Sequence, residues 1–103
     1  QCVEKIPTGF RLNIPDEYEV LLRPRSGLSM KGISLSNCVG TIDSDFTSEV
    51  MVLLMNHSKT PFIVKNGSRV AQMCLKRVEK LNFKQVTTLS RSTVRGGFGS
   101  TGE

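Results

Sequence analysis

With 103 residues, 38% of them apolar and 22% charged, the chain has room for one small globular domain whose core leaves little surplus stability, so association with further copies would help. No apolar run approaches the roughly 20 residues of a membrane span, and residues 1–12 lack the basic, apolar and small-residue succession of a secretory leader, so an intracellular protein with no membrane contact is expected. A net charge of +5 points to an anionic partner, but one tyrosine, five phenylalanines and no tryptophan are too few for the base stacking of single-strand nucleic-acid binders, and no nucleic-acid partner is expected.

The predicted elements are strands. Phe10, Leu12 and Ile14 alternate with Arg11 and Asn13 as a half-buried strand requires, and Pro15-Asp16 then turns the chain. Tyr18–Leu22 is the next strand. Val50–Met55 is a continuous apolar run fit for a strand buried on both faces, Val70–Leu75 is another, and Phe62–Val64 lies between them. Turn residues punctuate at Gly32, Asn37, Gly40, Asn56–Pro61 and Asn66-Gly67. No segment carries the 3.6-residue period of a long helix, so the short, regular spacing predicts an all-β sandwich, barrel or jelly roll. After Val86 the chain turns to Thr, Ser, Arg and Gly. Residues 1–86 are therefore read as the β-domain and 87–103 as a flexible C-terminal arm, either a disordered terminus or a flap that folds over a ligand.

Three cysteines spaced 36 residues apart, at 2, 38 and 74, offer neither a disulfide framework nor a Cys-x-x-Cys site and are expected as reduced, partly buried thiols. The sequons at Asn56 and Asn66 are read as turn chemistry, as is the single histidine, His57.

Four clusters carry chemistry. Arg25-Ser26-Gly27 joins a guanidinium, a hydroxyl and a permissive glycine, which suits phosphate or an ordinary turn. The run from Asn37 to Glu49 places Asp43 directly after Ile42 and a glycine turn, where a carboxylate could be held at a pocket wall to accept a proton from water, or could stand solvated in a hairpin. In Gly67–Gln72 the strand alternation puts Gln72 beside Val70 and Cys74, so a buried amide with a structural or site role is expected. Arg95–Gly102 combines a cation, Phe98 and two hydroxyls on glycine-rich backbone, and no helix follows that would make it a dinucleotide motif or a P-loop.

Taken in order, R-S-G-L-S-M-K-G, G-T-I-D-S-D-F, G-S-R-V-A-Q-M and R-G-G-F-G-S-T-G resemble motifs two to five of the trimeric all-β dUTPases, over essentially the whole chain from Ile6 onward. The resemblance implies a distorted jelly-roll, β-clip-like single domain, a homotrimer whose subunits contribute different motifs to each site, and hydrolysis of dUTP to dUMP and pyrophosphate, which keeps uracil out of DNA. Asp43 then matches the carboxylate that activates the attacking water. Arg25, Ser26, Gly27 and Gln72 match phosphate contacts, and Arg95, Ser100 and Thr101 match the phosphate contacts of a closing tail. Asn37, Gly40, Ile42, Phe46 and Phe98 match the groups around uracil and deoxyribose, with Phe98 stacking over the base. Mg²⁺ is implied as a companion of the triphosphate, with no direct protein ligand.

The sequence departs from the family pattern in three places. No Ala-Gly-Tyr-Asp-like first motif precedes Ile6, which is read as a partial chain with open sheet edges. Phe46 stands for a usual tyrosine and Ser48 for a usual glycine. Two other readings compete: a non-catalytic nucleotide-binding homologue, favoured by the absent first motif, and a dCTP deaminase relative, disfavoured by the G-T-I-D-S-D-F hairpin. Zinc deamination is excluded by the lack of an H-x-E and C-x-x-C pair.

Overall fold

The computed structural model describes residues 2–89, and these residues are all-β apart from one helical turn. The order is β1 (Val3–Arg11), β2 (Tyr18–Arg23), α1 (Ser26–Ser29), β3 (Ile33–Leu35), β4 (Gly40–Ile42), β5 (Glu49–Asn56) and β6 (Gln72–Arg77). They form two three-stranded antiparallel sheets, β1-β5-β3 and β4-β2-β6. The chain changes sheet between β3 and β4.

The core is the space between the sheets. Strand periodicity sends alternate residues of β5 the same way, so Val50, Val52 and Leu54 are buried together, joined by Ile33 and Leu35 of β3. Val20 and Leu22 of β2 and Ile42 of β4 come from the opposite sheet, and Ile14 completes the cluster. Register supports this, because Leu35 pairs with Leu54 and Val20 with Ile42, placing each pair on one face.

The β1–β5 ladder breaks once. Pro7 pairs with Met51 and Arg11 with Glu49, so β1 uses four steps where β5 uses two. The surplus forms a bulge at Thr8–Phe10, with Gly9 at φ +82, a conformation that glycine adopts without strain.

Several sequence expectations shift. Of the alternation at Phe10–Ile14 only Phe10 and Arg11 are strand, as the end of β1 (Val3–Arg11), while Leu12 is half-buried and Ile14 buried beyond the ladder, so there the periodicity recorded burial without pairing. Phe62–Val64 is not a strand, although Phe62 and Val64 pack against the core. β5 is buried on one face only, with Met51, Leu53 and Met55 half-exposed on the other. The run expected at Val70–Leu75 pairs two residues later, as β6, where it is a sheet edge. Gly40 is not in a turn but opens β4. Cys2 and Cys38 are exposed and only Cys74 is partly buried, because neither exposed thiol lies on the inner face of a sheet. The turn readings at Pro15-Asp16 and Asn56-His57-Ser58 hold: Tyr18 N–H donates to the Pro15 carbonyl at 2.9 Å, and the Asn56 side chain accepts from Ser58 N–H at 2.9 Å.

The sheets do not close along their whole length. Between β1 and the 64–73 segment that leads into β6 they leave a cleft of about 710 Å³, floored by Val50 and Val52 and edged by Arg25, Lys65 and Arg69. Met73 and Leu75 of β6 share the inward face with Leu22 and Val20, yet are 52% and 60% exposed.

Replacing Leu54 with Ala removes a side chain from the middle of the core and is expected to lower the unfolding free energy by about 2–5 kcal/mol. Met30→Ala, at an exposed position, is expected to stay within about 0.5 kcal/mol. Urea denaturation of the two variants checks the contrast.

Candidate active site

Residues 36–39 link β3 to β4 in a very tight turn. Ser36 N–H continues the β3–β5 ladder by donating to the Leu53 carbonyl at 2.8 Å. Val39 N–H then donates to the Asn37 carbonyl at 2.7 Å, a three-residue turn that drives Cys38 to φ +57. The turn leaves Asn37 lying over Gly40. A Cβ at Gly40 would stand 3.0 Å from Asn37 Nδ2 and 3.3 Å from Leu22 Cβ, so a larger residue there would make both neighbours give way by a few tenths of an ångström. Two residues on, buried Ile42 anchors β4 in the core, and Asp43 emerges just beyond it into solvent. Phe46 N–H donates back to the Asp43 carbonyl at 3.0 Å, closing a turn that presents the Phe46 ring. A cavity of about 310 Å³ results, lined by Asn37, Gly40, Ile42, Asp43 and Phe46, together with Glu49. All the base-side and catalytic residues that the sequence nominated within the described chain meet here.

The second cluster forms at the end of β2. Pro24 stops the strand, and Arg25, in extended conformation, caps the single turn α1. Ser29 N–H donates to the Arg25 carbonyl and Met30 N–H to that of Ser26, so the chain folds straight back on itself. Gln72 opens β6 opposite Arg23, and its side-chain amide donates to the Pro24 carbonyl at 3.2 Å. Gln72 is therefore exposed and not buried as its strand neighbours implied: β6 is an edge, and its amide finds backbone at the surface. Arg25, Ser26, Gly27 and Gln72 together line a cavity of about 470 Å³.

Two cations that sequence reasoning passed over line the same cavity, Lys31 and Arg69. Both lie inside the quoted motifs. The signal that could have found them is the reversal at α1, which returns Lys31 to the side of Arg25, and the Lys65–Ser68 turn, which delivers Arg69 next to β6. No carboxylate lines the cavity, and among the described residues the only ion pairs are those of Arg77 with Glu17 and Glu79. Three cations thus converge without a counter-ion, an arrangement that attracts a multiply charged anion. The two cavities share no lining residue.

Arg95, Phe98, Ser100 and Thr101 lie outside the described residues. Among the described residues no group of three His, Cys, Asp or Glu side chains is placed to hold a metal ion, and no helix is long and apolar enough to cross a membrane.

Gly40→Ala forces a Cβ into the Asn37 amide and the Leu22 side chain and is expected to destabilise the protein by about 1–3 kcal/mol, with amide resonances shifting around Asn37 and Leu22 and not around β6.

The family model for dUTPase matches residues 1–102. The chain is 48% identical to a deoxyuridine 5'-triphosphate nucleotidohydrolase of Rickettsia canadensis, over 97% of this chain and 69% of the relative. It is 46% identical to the same-named protein of Finegoldia magna, over 94% of this chain and 69% of the relative. Among solved structures, a Staphylococcus bacteriophage 80alpha dUTPase variant with dUpNHpp superposes with a TM-score of 0.69 at 20% identity, covering 98% of this chain and 81% of that one. A dUTPase variant from phage phi11 of S. aureus, described for its coordination of a structural Mg(II) ion, superposes with a TM-score of 0.60 at 17% identity, covering 86% and 80%.

Proposed function

The chain belongs to the dUTPase family, and from that membership we propose that the two cavities are the nucleoside and phosphate halves of a site that hydrolyses dUTP to dUMP and pyrophosphate. The observation that carries the assignment is convergence. Within the described residues, those nominated for the base and for water activation meet in one cavity, and those nominated for phosphate meet in the other.

Asp43 accepts a proton from water, whose oxygen bonds to the α-phosphorus. The bond from that phosphorus to the bridging oxygen breaks, and pyrophosphate leaves with the electron pair. Asp43 suits the role because β4 fixes its backbone at Ile42 while its side chain stays open to solvent. Arg25, Ser26, Gly27 and Gln72 hold the phosphate chain, with Lys31 and Arg69 adding to the field, and their work is alignment and charge stabilisation. Asn37, Gly40 and Ile42 give the hairpin that reads the uracil edge and excludes a thymine methyl group. Phe46 packs on the deoxyribose. Arg95, Phe98, Ser100 and Thr101 close over the bound nucleotide from the C-terminal arm. A Mg²⁺ ion would be held by the triphosphate oxygens and water, where it neutralises phosphate charge.

The site is completed between three copies. Separate cavities with no common lining residue support this, as do the large apolar side chains left exposed at Met73, Leu75, Leu81 (81%) and Phe83 (91%).

Asp43→Asn is expected to lower kcat about 10²–10⁴-fold while dUTP binding persists; unaltered turnover in that variant would remove Asp43 from the mechanism. The shared site is tested by subunit mixing. Asp43→Asn and Arg25→Ala chains, each weak alone, are expected to regain dUTP hydrolysis when refolded together, since some sites then combine an intact Asp43 with an intact Arg25. A mixture no more active than its components would put both halves in one chain.

A further inference from the structure

The loop that carries Asp43 and Phe46 is secured at its first end by the β4–β2 ladder, and nothing within residues 43–48 secures the other end except the Phe46–Asp43 turn. The bulge of β1 lies against that second end. Gly9 N–H, turned outward by φ +82, donates to Glu49 Oε2 at 2.8 Å. Thr8 Oγ1 donates to the Val50 carbonyl at 2.7 Å and accepts from Phe10 N–H at 3.3 Å, which fixes the shape of the bulge. Arg11, the first residue back in register, donates its Nε–H to the Thr47 carbonyl. Thr47 immediately follows Phe46, and Glu49 lines the same cavity as Asp43 and Phe46.

Resting on the reading of this cavity as the nucleoside half of the site, we infer that Arg11 and Glu49 are positioning residues. Together with the glycine bulge they clamp the Thr47–Glu49 end of the loop to β1, and so set where the Phe46 ring stands against the sugar. Arg11 lies outside the lining of that cavity, while Glu49 stands at its wall with its carboxylate engaged by Gly9 N–H. Each bond is exposed and modest alone, but the two grip adjacent points on one short segment, and a ring that discriminates a 2′-hydrogen from a 2′-hydroxyl by contact must be held closely. The bulge explains the geometry. A regular β1 would continue pairing at Val50 and carry its N–H groups past Glu49, whereas the two surplus residues turn Gly9 N–H toward the carboxylate and return Arg11 opposite Glu49.

The test compares Arg11→Leu, Glu49→Leu and Glu49→Gln in the full chain by two readouts: hydrogen exchange at the Phe46 amide and the ratio of kcat/KM for dUTP over UTP. Both leucine variants are expected to speed Phe46 exchange about tenfold and lower the ratio by about the same factor, the effect of one lost hydrogen bond of ordinary strength. Exchange in the middle of β5 should be unchanged. Glu49→Gln still offers an oxygen to Gly9 and is expected to restore both readouts to within about twofold of the parent. Unaltered exchange and ratio in both leucine variants would overturn the clamp, as would equal acceleration across β5 with no rescue by glutamine. A parent protein that does not distinguish dUTP from UTP would instead overturn the nucleoside-site reading, and the exchange data would still decide whether the loop is clamped.

Discussion

Val50, Val52 and Leu54 project from β5 into the space between the sheets, and the rest of the molecule is arranged around that row. β5 is the central strand of its sheet, with β1 and β3 as neighbours, so one alternating run fixes the register of both. Ile42 packs into the same cluster, and this ties the placement of Asp43 to the core. The carboxylate sits one residue outside an immovable side chain, solvent-exposed in position yet fixed in backbone. A side chain held from behind and free in front is well suited to handling a water molecule.

The same arrangement accounts for the uneven burial. Where the chain crosses from β3 to β4 the sheets face each other and the core is dense; between β1 and β6 they part. Met73 and Leu75 have the alternation of core residues without core neighbours. Their exposure, the uncovered row at Leu81 and Phe83, and the division of the nominated residues between two cavities express one condition. The sheets pair within one chain yet leave part of the apolar surface uncovered, as the proposed sharing of each site between copies would require.

Legibility followed the physics of each signal. β5 and β2 were readable as strands because a strand-length apolar run such as Val-Met-Val-Leu-Leu-Met needs a core to cover it, although the run does not say that only the face of Val50, Val52 and Leu54 is buried. β3 and β4, three residues each, are too short to establish a period, and β1 was displaced because Lys5, Pro7 and Thr8 disguise an edge strand whose regular part precedes the stronger pattern at Phe10–Ile14. Gln72 was misplaced for a related reason: alternation says which neighbours share a face, but whether that face is covered depends on the strand's position in the sheet. The two groupings of site residues were legible as motifs and not as geometry. Lys31 and Arg69 stood in plain view inside those motifs, and only the reversal at α1 and the Lys65–Ser68 turn bring them to Arg25. The pairing of Arg11 with Thr47 spans 36 positions and involves a backbone carbonyl, which leaves no trace in residue types.

The cavity beside α1, whose cations have no ion-pair partner among the described residues, has a kinetic consequence. In the proposed phosphate role, Arg25, Lys31 and Arg69 would draw in a polyanion, and the charge they attract would reside mostly in the portion of the nucleotide that becomes the leaving group. After the bond breaks, the nucleoside monophosphate keeps one phosphate while pyrophosphate keeps the greater share of the attraction. Efficient capture and slow escape are then two aspects of one electrostatic well, and departure of the inorganic product becomes the natural candidate for the slow step. Ionic strength would act on the two in opposite senses, weakening the encounter and hastening the exit.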